Sequence, residues 1–565
     1  MVAVMAGVWL ALAVFVVTAW PRLMTSKVWR VCALLLALAL SFVQQLLFST
    51  VAEDAYISFR YARNIADGDG PVFNPGERVE GYSNFLWTVL IALSRAMFGW
   101  DVQTGAVVLG IACTLGCVLA AYFLVNRIVA VAEPDGPGLP ALGVGAAVVT
   151  AGASSLAAYG ASGLETPLFL LLMLCIGYAL AAGRPVVAGV LAALAIMTRP
   201  DGVVVAVLAG LWLVTSALRR RTTAWAPAGY ALGALVLLVP WTAWRVTYYG
   251  YLLPNAVAAK SGGSLGWQLR QGWDYLTGFA QVYQVFVLLG VVAVVVLLGS
   301  RRSPASDTAA RARSLVWLLL ELAVVYTAFV VAVGGDWMPA WRLLAPVPPL
   351  LAIAAAAAYG VWAAADTAGA PSPRPRAQRL AQRRAVGIVA VAVCGLSMVV
   401  SVTHPRMLPA MHDWRDAIGE LGETGSWLGE RLPAGTVVST YANGALSYRA
   451  GSHLVLVDVL GLTDEHIARH GERSESAGMI GHIAQDYSYV VNVRMPAVAV
   501  DTGAGYAEKQ HCGINPAFAG LYEVATFRRA GQERWIALYL RRAQAPVLIE
   551  LLDADPRFTY VACPR

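Results

Sequence analysis

Residues 53 to 85 read EDAYISFRYARNIADGDGPVFNPGERVEGYSNF, and they hold the side chains best suited to chemistry. Glu53 and Asp54 stand side by side just past the end of an apolar run, Val31 to Phe48. A carboxylate at the boundary between lipid and water can serve as general base toward a hydroxyl. Arg60 and Arg63 follow at helical spacing, and guanidinium groups grip phosphate bidentately. The plainer reading is that Glu53 or Asp54 caps a helix from Ala55 to Ile65 and pairs with Arg60. Beyond the Pro75-Gly76 turn come Glu77, Arg78, Glu80, Tyr82, Ser83 and Asn84. Glu80 and Asn84 are candidates to hold sugar hydroxyls, and Asn84 is the better placed of the two to cap a helix starting near Ser83.

Three further segments carry polar groups between apolar runs. Thr198-Arg199-Pro200-Asp201 breaks a helix pair, Tyr248 to Lys260 includes Asn255, and Gly334 to Arg342 includes Asp336 and Trp337. Ionised groups at membrane depth are functional candidates unless a partner explains them. All seven histidines fall at or after His404, none with the paired spacing of a zinc helix. Five of the seven cysteines lie in apolar runs and read as packing residues. Cys512 and Cys563 lie in polar sequence and are expected to pair if that region faces an oxidising compartment.

The elements that must position these groups are mostly membrane helices. Of 565 residues 58% are hydrophobic and 13% charged, against about 25% charged in soluble domains. The net charge of +7 does not call for nucleic acid, because the arginines cluster between apolar runs as the positive-inside rule requires. Candidate spans are 2–20, 31–49, 104–125, 139–158, 168–182, 186–198, 202–218, 225–244, 282–300, 314–333, 343–365 and 385–403, each set against the roughly 20 residues needed to cross. The first reads as a retained helix rather than a cleaved signal. Arg22, Lys27, Arg30, Arg127, Arg184, Arg219 to Arg221, Arg301, Arg302, Arg311, Arg313 and the run from Arg374 to Arg384 then share one, cytoplasmic, side. Loop 50–103, the turns at 163–166 and 199–202, loop 245–281, segment 334–342 and everything from 404 fall on the other. Residues 84–98 would break that parity, so they are expected to lie in the outer interface, anchored by Trp87 and Trp100. From His404 the composition becomes that of a soluble α/β domain, with period-2 stretches at 436–439, 453–459, 489–493 and 535–540 and a helical pattern at 414–428. The expected division is thus a transmembrane part, 1–403, and an extracytoplasmic domain, 404–565.

Asp54 to Asn64 and Gly70 to Tyr82, with Tyr249-Gly250 to Pro254-Asn255, Gly334-Gly335-Asp336 to Arg342 and Val457 to Asp464, resemble a bacterial group of GT-C glycosyltransferases. That group includes the terminal arabinofuranosyltransferases of actinobacterial cell walls, and pilin arabinosyltransferases and flagellar motor control proteins are similar. The resemblance implies a multi-pass α-helical GT-C membrane protein, with about 11–13 transmembrane helices and a C-terminal soluble α/β domain, in the plasma membrane. It implies transfer of an arabinofuranosyl or similar residue from a polyprenyl phosphate, such as decaprenyl-phospho-arabinose, to an arabinan or arabinogalactan-type acceptor. Asp54 becomes the catalytic candidate with Glu53 as its neighbour, where relatives often carry a second Asp. Arg60, Arg63, Arg199 and Arg342 become candidates for the donor phosphate, and Glu80, Tyr82, Asn84, Asn255, Asp336 and Trp337 for sugar or acceptor. A divalent cation is a further candidate to help hold the phosphate, although no acidic cluster requires one. The rival readings are a lipid-linked sugar flippase, which needs mid-helix polar residues beyond Gln44, Gln45 and Glu321, and a non-enzymatic motility or assembly factor.

Overall fold

The computed structural model describes residues 1–564 except 135, 137, 300–305, 369–375, 476–481 and 502–505, with side chains left out between 365 and 383. Arg301, Arg302, Arg374 and the basic side chains that follow up to residue 383 therefore lie outside the described residues. Packing divides the chain into two compact units. The first comprises Met1–Ser49, Val107–Thr242 and Gln268–Met411; the second comprises Thr50–Ala106, Ala243–Trp267 and His412–Arg565. A boundary at 403 assigns both inserted segments to the membrane part, whereas their packing assigns them to the second unit.

The first unit is helical. Among the described residues seven helices are long and apolar enough to cross a membrane, and up to nine if two bent pairs each count once. Pro140–Ala151 and Ser154–Gly160 meet at 65°, and Leu265–Val282 and Gln284–Gly299 at 88°. The first bend falls inside the single span expected at 139–158; the second joins the span expected at 282–300 to a helix, Leu265–Val282, in the segment expected as the outer loop 245–281. At the first break Gly152 is closely packed, and a Cβ there would stand 2.6 Å from the sulfur of Cys394. At the second, Tyr283 is buried and bonds Ser154 Oγ at 3.0 Å. The helices Thr166–Ala181, Pro185–Thr198 and Gly202–Leu218 have 16, 14 and 17 residues. At 1.5 Å per residue they are about 21–25 Å long, short of the roughly 30 Å of hydrocarbon. The expected 11–13 spans are reached only by including them.

The second unit is built on a six-stranded sheet. Its strands run Val455–Asp458, Val437–Thr440, Val498–Val500, Trp535–Arg541, Tyr522–Arg529 and Phe558–Val561 in spatial order, the first three parallel and the rest antiparallel. Helix Leu408–Arg431 supplies Trp427, which stacks on Phe558 at 4.2 Å and meets Phe527 edge-on at 4.9 Å. Ile57, Tyr61, Phe73, Tyr82 and Tyr249 belong to the same apolar core as the sheet, which ties both inserted segments to it. The strand expected at 489–493 is instead a helical turn, because Asp486 caps it by accepting the Tyr489 N–H at 2.8 Å. Residues 85–98 do form a helix, but Trp87 is fully buried and only Trp100 is exposed, so Trp87 is a core residue rather than an interfacial anchor.

Cys512 and Cys563 are joined in a disulfide across 51 residues. A loop of that size corresponds to about 4 kcal/mol of chain-entropy stabilisation. Replacing both by serine should therefore lower the denaturation temperature of the full chain, as reducing agent should for wild type. Equal melting with and without reductant would contradict this.

Candidate active site

Helix Ala55–Asp67 positions the first group of candidates. Asp54 occupies its N-cap place in helical conformation and makes no side-chain cap bond, so the capping role is not the one it plays. The helix stops at Gly68, φ 97°, where the Asp69 N–H reaches Asn64 O at 2.9 Å and the Gly68 N–H reaches Ile65 O at 3.3 Å, the left-handed closure that glycine permits without strain. Arg60 does not face a ligand. Its side chain is fully buried, and its guanidinium donates to the carbonyls of Phe73, Ser447, Gly451 and Leu454 and to Asn74 Oδ1. Arg63 likewise donates to Tyr448 O and Ser452 Oγ and lies 4.6 Å over the Tyr448 ring. Both arginines expected to grip phosphate are instead ties between this helix and residues 447–454, because a guanidinium's five planar donors can satisfy several buried carbonyls at once.

Glu53 has different surroundings. It is buried, its Oε1 accepts the Gly444 N–H, and it hydrogen-bonds the Asp54 side chain. A Cβ on Gly444 would collide with Glu53, so only glycine lets the carboxyl lie against this backbone. Burial, with the adjoining Asp54 and Asp458 charges, pushes Glu53 up to about 8, against the opposing Gly444 bond. Asp458 is fully buried and pushed up to about 6 by that burial, although its two oxygens accept the Leu460 and Thr463 N–H groups at 2.9 and 3.0 Å. Gly444 and Asp458 were not foreseen as site residues. The only signal for Asp458 was its place in the Val457 to Asp464 run; for Gly444 there was none.

The candidate sugar contacts of this unit are internally engaged. Glu80 forms a buried bidentate pair with Arg245, both bonds 2.8 Å. Arg245 was missed, although an arginine inside a predominantly apolar helix calls for a carboxylate partner. Tyr82 shares a hydrogen bond of 3.1 Å with the Tyr249 hydroxyl, which donates to Pro71 O. Asn84 Oδ1 accepts from Ser58 and Thr88. The Asn255 amide donates to the carbonyls of Gly461, Leu462 and Asp464, while its Oδ1 is buried with no hydrogen-bond partner among the described residues. Glu80, Tyr82 and Asn84 are therefore framework groups, since a sugar would have to displace formed bonds. Asn255 alone keeps an unused acceptor.

In the helical unit Arg199 is buried between Asp201, at 2.9 Å twice, and Glu165 at 3.4 Å, and Tyr326 donates to Asp201 at 2.6 Å. Two carboxylates already balance that guanidinium, which removes it as a phosphate grip. Asp336 accepts from Arg342 Nε at 2.7 Å, in the turn that also carries Trp337. The backbone beside them is strained: Ala340 and Trp341 have φ of 56° and 51°, a region that disfavours any Cβ. They are held there by Ala340 N–H to Arg406 O, Trp341 Nε1 to Tyr275 O and Tyr159 Oη to Pro339 O. Such strain persists where the surroundings over-determine it, commonly at functional sites. Among the described residues no group of three or more His, Cys, Asp or Glu side chains is arranged to hold a metal ion.

Two measurements test this geometry. Glu53 has a folded value above its ordinary 4.5, so its protonated form stabilises the fold. That contribution is complete below pH 4.5 and is lost as pH rises toward 8. The melting temperature of Glu53→Gln should thus climb relative to wild type across that window, and a pH-independent difference would refute the assignment. Arg60→Lys keeps the charge but not the five donors; it should destabilise the full chain by about 3 kcal/mol or more. Unchanged melting would restore Arg60 to the list of ligand-facing cations.

Comparison with known proteins supplies the wider frame. A family model described as a domain of unknown function (DUF8728) matches residues 411–539. Terminal β-(1→2)-arabinofuranosyltransferases are similar in sequence: that of Mycobacterium tuberculosis is 30% identical over 339 residues, 54% of this chain and 51% of the relative, and that of Corynebacterium glutamicum is 28% identical over 337 residues, 53% and 47%. The chain spans about half the length of these relatives. Among solved structures, ArnT from Cupriavidus metallidurans bound to undecaprenyl phosphate has a TM-score of 0.53 at 14% identity, covering 91% of this chain and 98% of that one. The chain is a multi-pass membrane protein of GT-C fold with a C-terminal α/β domain, similar in sequence to terminal arabinofuranosyltransferases.

Proposed function

We propose that this chain is a membrane glycosyltransferase that moves an arabinofuranosyl residue from a polyprenyl phosphate to a hydroxyl of a cell-wall glycan at the outer face of the plasma membrane. The likeness to arabinofuranosyltransferases supports the sugar, and the likeness in fold to a protein solved with undecaprenyl phosphate supports the donor class. The disulfide Cys512–Cys563 supports an oxidising, outer location for the second unit.

The observation that carries the proposal is the contact between two unlike carboxyl groups, Glu53 and Asp54. Two adjoining carboxylates do not both ionise readily. Glu53, the more deeply buried, keeps the proton and bonds Asp54, which leaves Asp54 as the carboxylate. Asp54 then takes the proton of the acceptor hydroxyl as its oxygen attacks the anomeric carbon. The bond from that carbon to the phosphate oxygen breaks, and the polyprenyl phosphate departs with the electron pair. Of the arginines expected to meet the phosphate, Arg60, Arg63 and Arg199 are committed within the fold and Arg342 pairs with Asp336, so no step is assigned to them. Asn255 is retained for a sugar hydroxyl through its unused Oδ1. No step is assigned to a metal.

The test is a transfer assay on the full chain in detergent, with radiolabelled polyprenyl-phospho-arabinofuranose and a short arabinan acceptor. Asp54→Asn should lower kcat about 100-fold or more, while Glu53→Gln, which preserves a neutral partner, should retain most activity. Equal loss in both variants would contradict the division of roles. Full activity in Asp54→Asn would move the base elsewhere, and no transfer by wild type would refute the donor or the acceptor.

A further inference from the structure

The helical unit contains a second group of arginines that the proposed reaction does not use. The helix Gly202–Leu218 begins beside Arg199 and ends about 25 Å away, in the run Arg219-Arg220-Arg221. A cavity of about 460 Å³ there is lined by Arg184, Arg220, Arg221 and Arg311 together with Thr222. A second, of about 640 Å³, shares Arg221 and adds Arg219, Arg313, Trp212, Trp317 and Glu321. The smaller cavity has no carboxylate among its lining residues, and none of its four arginines makes an ion pair among the described residues. Arg311 Nη2 donates to Leu180 O at 3.1 Å, but Arg311 Nε and Thr222 Oγ1 are buried with no hydrogen-bond partner.

The positive-inside rule accounts for basic residues at this end of the helices. It does not account for four guanidiniums converging on one cavity with buried donors unmet, since an unpaired buried donor is costly. The backbone adds an independent sign. The Arg220 N–H bonds Ala217 O at 2.9 Å and the Arg221 N–H bonds Ser216 O at 2.8 Å, with Arg220 at φ 58°. That is the helix stop in which the left-handed place ordinarily belongs to glycine. Here it holds an arginine, so backbone strain is tolerated where a guanidinium lines the cavity. Beside it, Val207, Leu211, Val214 and Leu218 form an exposed apolar stripe on the same helix, 52%, 55%, 42% and 79% accessible.

We propose that these adjoining cavities bind the phosphate headgroup of an anionic membrane phospholipid, remote from the Arg199 end of the helix, with the acyl chains lying along that stripe. The guanidiniums and the two unmet donors meet phosphate oxygens. A soluble phosphate shares the headgroup chemistry but makes no use of the stripe.

Native mass spectrometry of the full chain in detergent tests this, with added cardiolipin, phosphatidylcholine and inorganic phosphate as probes. Wild type should retain cardiolipin well above phosphatidylcholine, and inorganic phosphate at millimolar concentration should not displace it. Arg220→Gly should weaken cardiolipin retention about fivefold, and Arg220→Gln with Arg221→Gln roughly 25-fold. Arg220→Gly should at the same time melt higher than wild type, because it relieves the left-handed strain; this separates lost binding from lost folding. Arg384→Gln, which removes an exposed arginine outside both cavities, should bind as wild type does. Equal retention of the two lipids, undiminished binding in the double variant, or an equal loss in Arg384→Gln would overturn the proposal. Displacement by inorganic phosphate would assign the cavities to a soluble anion and overturn the lipid.

Discussion

A charge placed among hydrocarbon costs several kcal/mol unless a partner is built for it, and this constraint decides what each polar residue here can do. Arg60 is answered by carbonyls, Glu80 by Arg245, and Arg199 by Asp201 and Glu165. Each of these groups has its bonds made inside one compact unit, which makes it a fixture of the fold. Glu53 is answered differently: it is buried, and the largest charge acting on it is that of the adjoining Asp54 carboxyl. A fold meets that arrangement by retaining a proton, and a retained proton on one carboxyl fixes the charge on its neighbour.

Much of the architecture was legible because it rests on composition and period. The apolar runs became helices, and the polar residues after His404 became an α/β sheet domain. What stayed hidden depends on distance in sequence. Nothing local tells that Arg60 will meet residues 447–454, nearly 400 positions on, or that Glu80 will meet Arg245. The same holds for residues 50–106 and 243–267, whose membership in the second unit is set by a shared apolar core rather than by any boundary signal. The turn at 487–494 shows a local rule misapplied: its alternation suggested a strand, and one aspartate at the cap decided for a helix.

The two units concentrate their unusual features at few places. In the second unit Gly444, Asp458 and the Glu53–Asp54 contact gather around loop backbone. In the first, Ala340 and Trp341 hold a left-handed backbone next to the Asp336–Arg342 pair, and Arg220 holds one at the opposite end of a helix from Arg199. Among the described residues four non-glycine positions, Arg220, Ala340, Trp341 and Met495, hold a left-handed backbone, and strain kept at the first three, beside arginines, is hard to derive from stability alone.

The account turns on Glu53 holding a proton while Asp54 is charged, and this is directly observable. Infrared difference spectra of the full chain at pH 7, wild type against Glu53→Gln, should show one protonated-carboxyl C=O band lost in the variant. That band should persist in Asp54→Asn. A wild type with no such band, or a band removed by Asp54→Asn but kept in Glu53→Gln, would reverse the assignment of acid and base and contradict the mechanism.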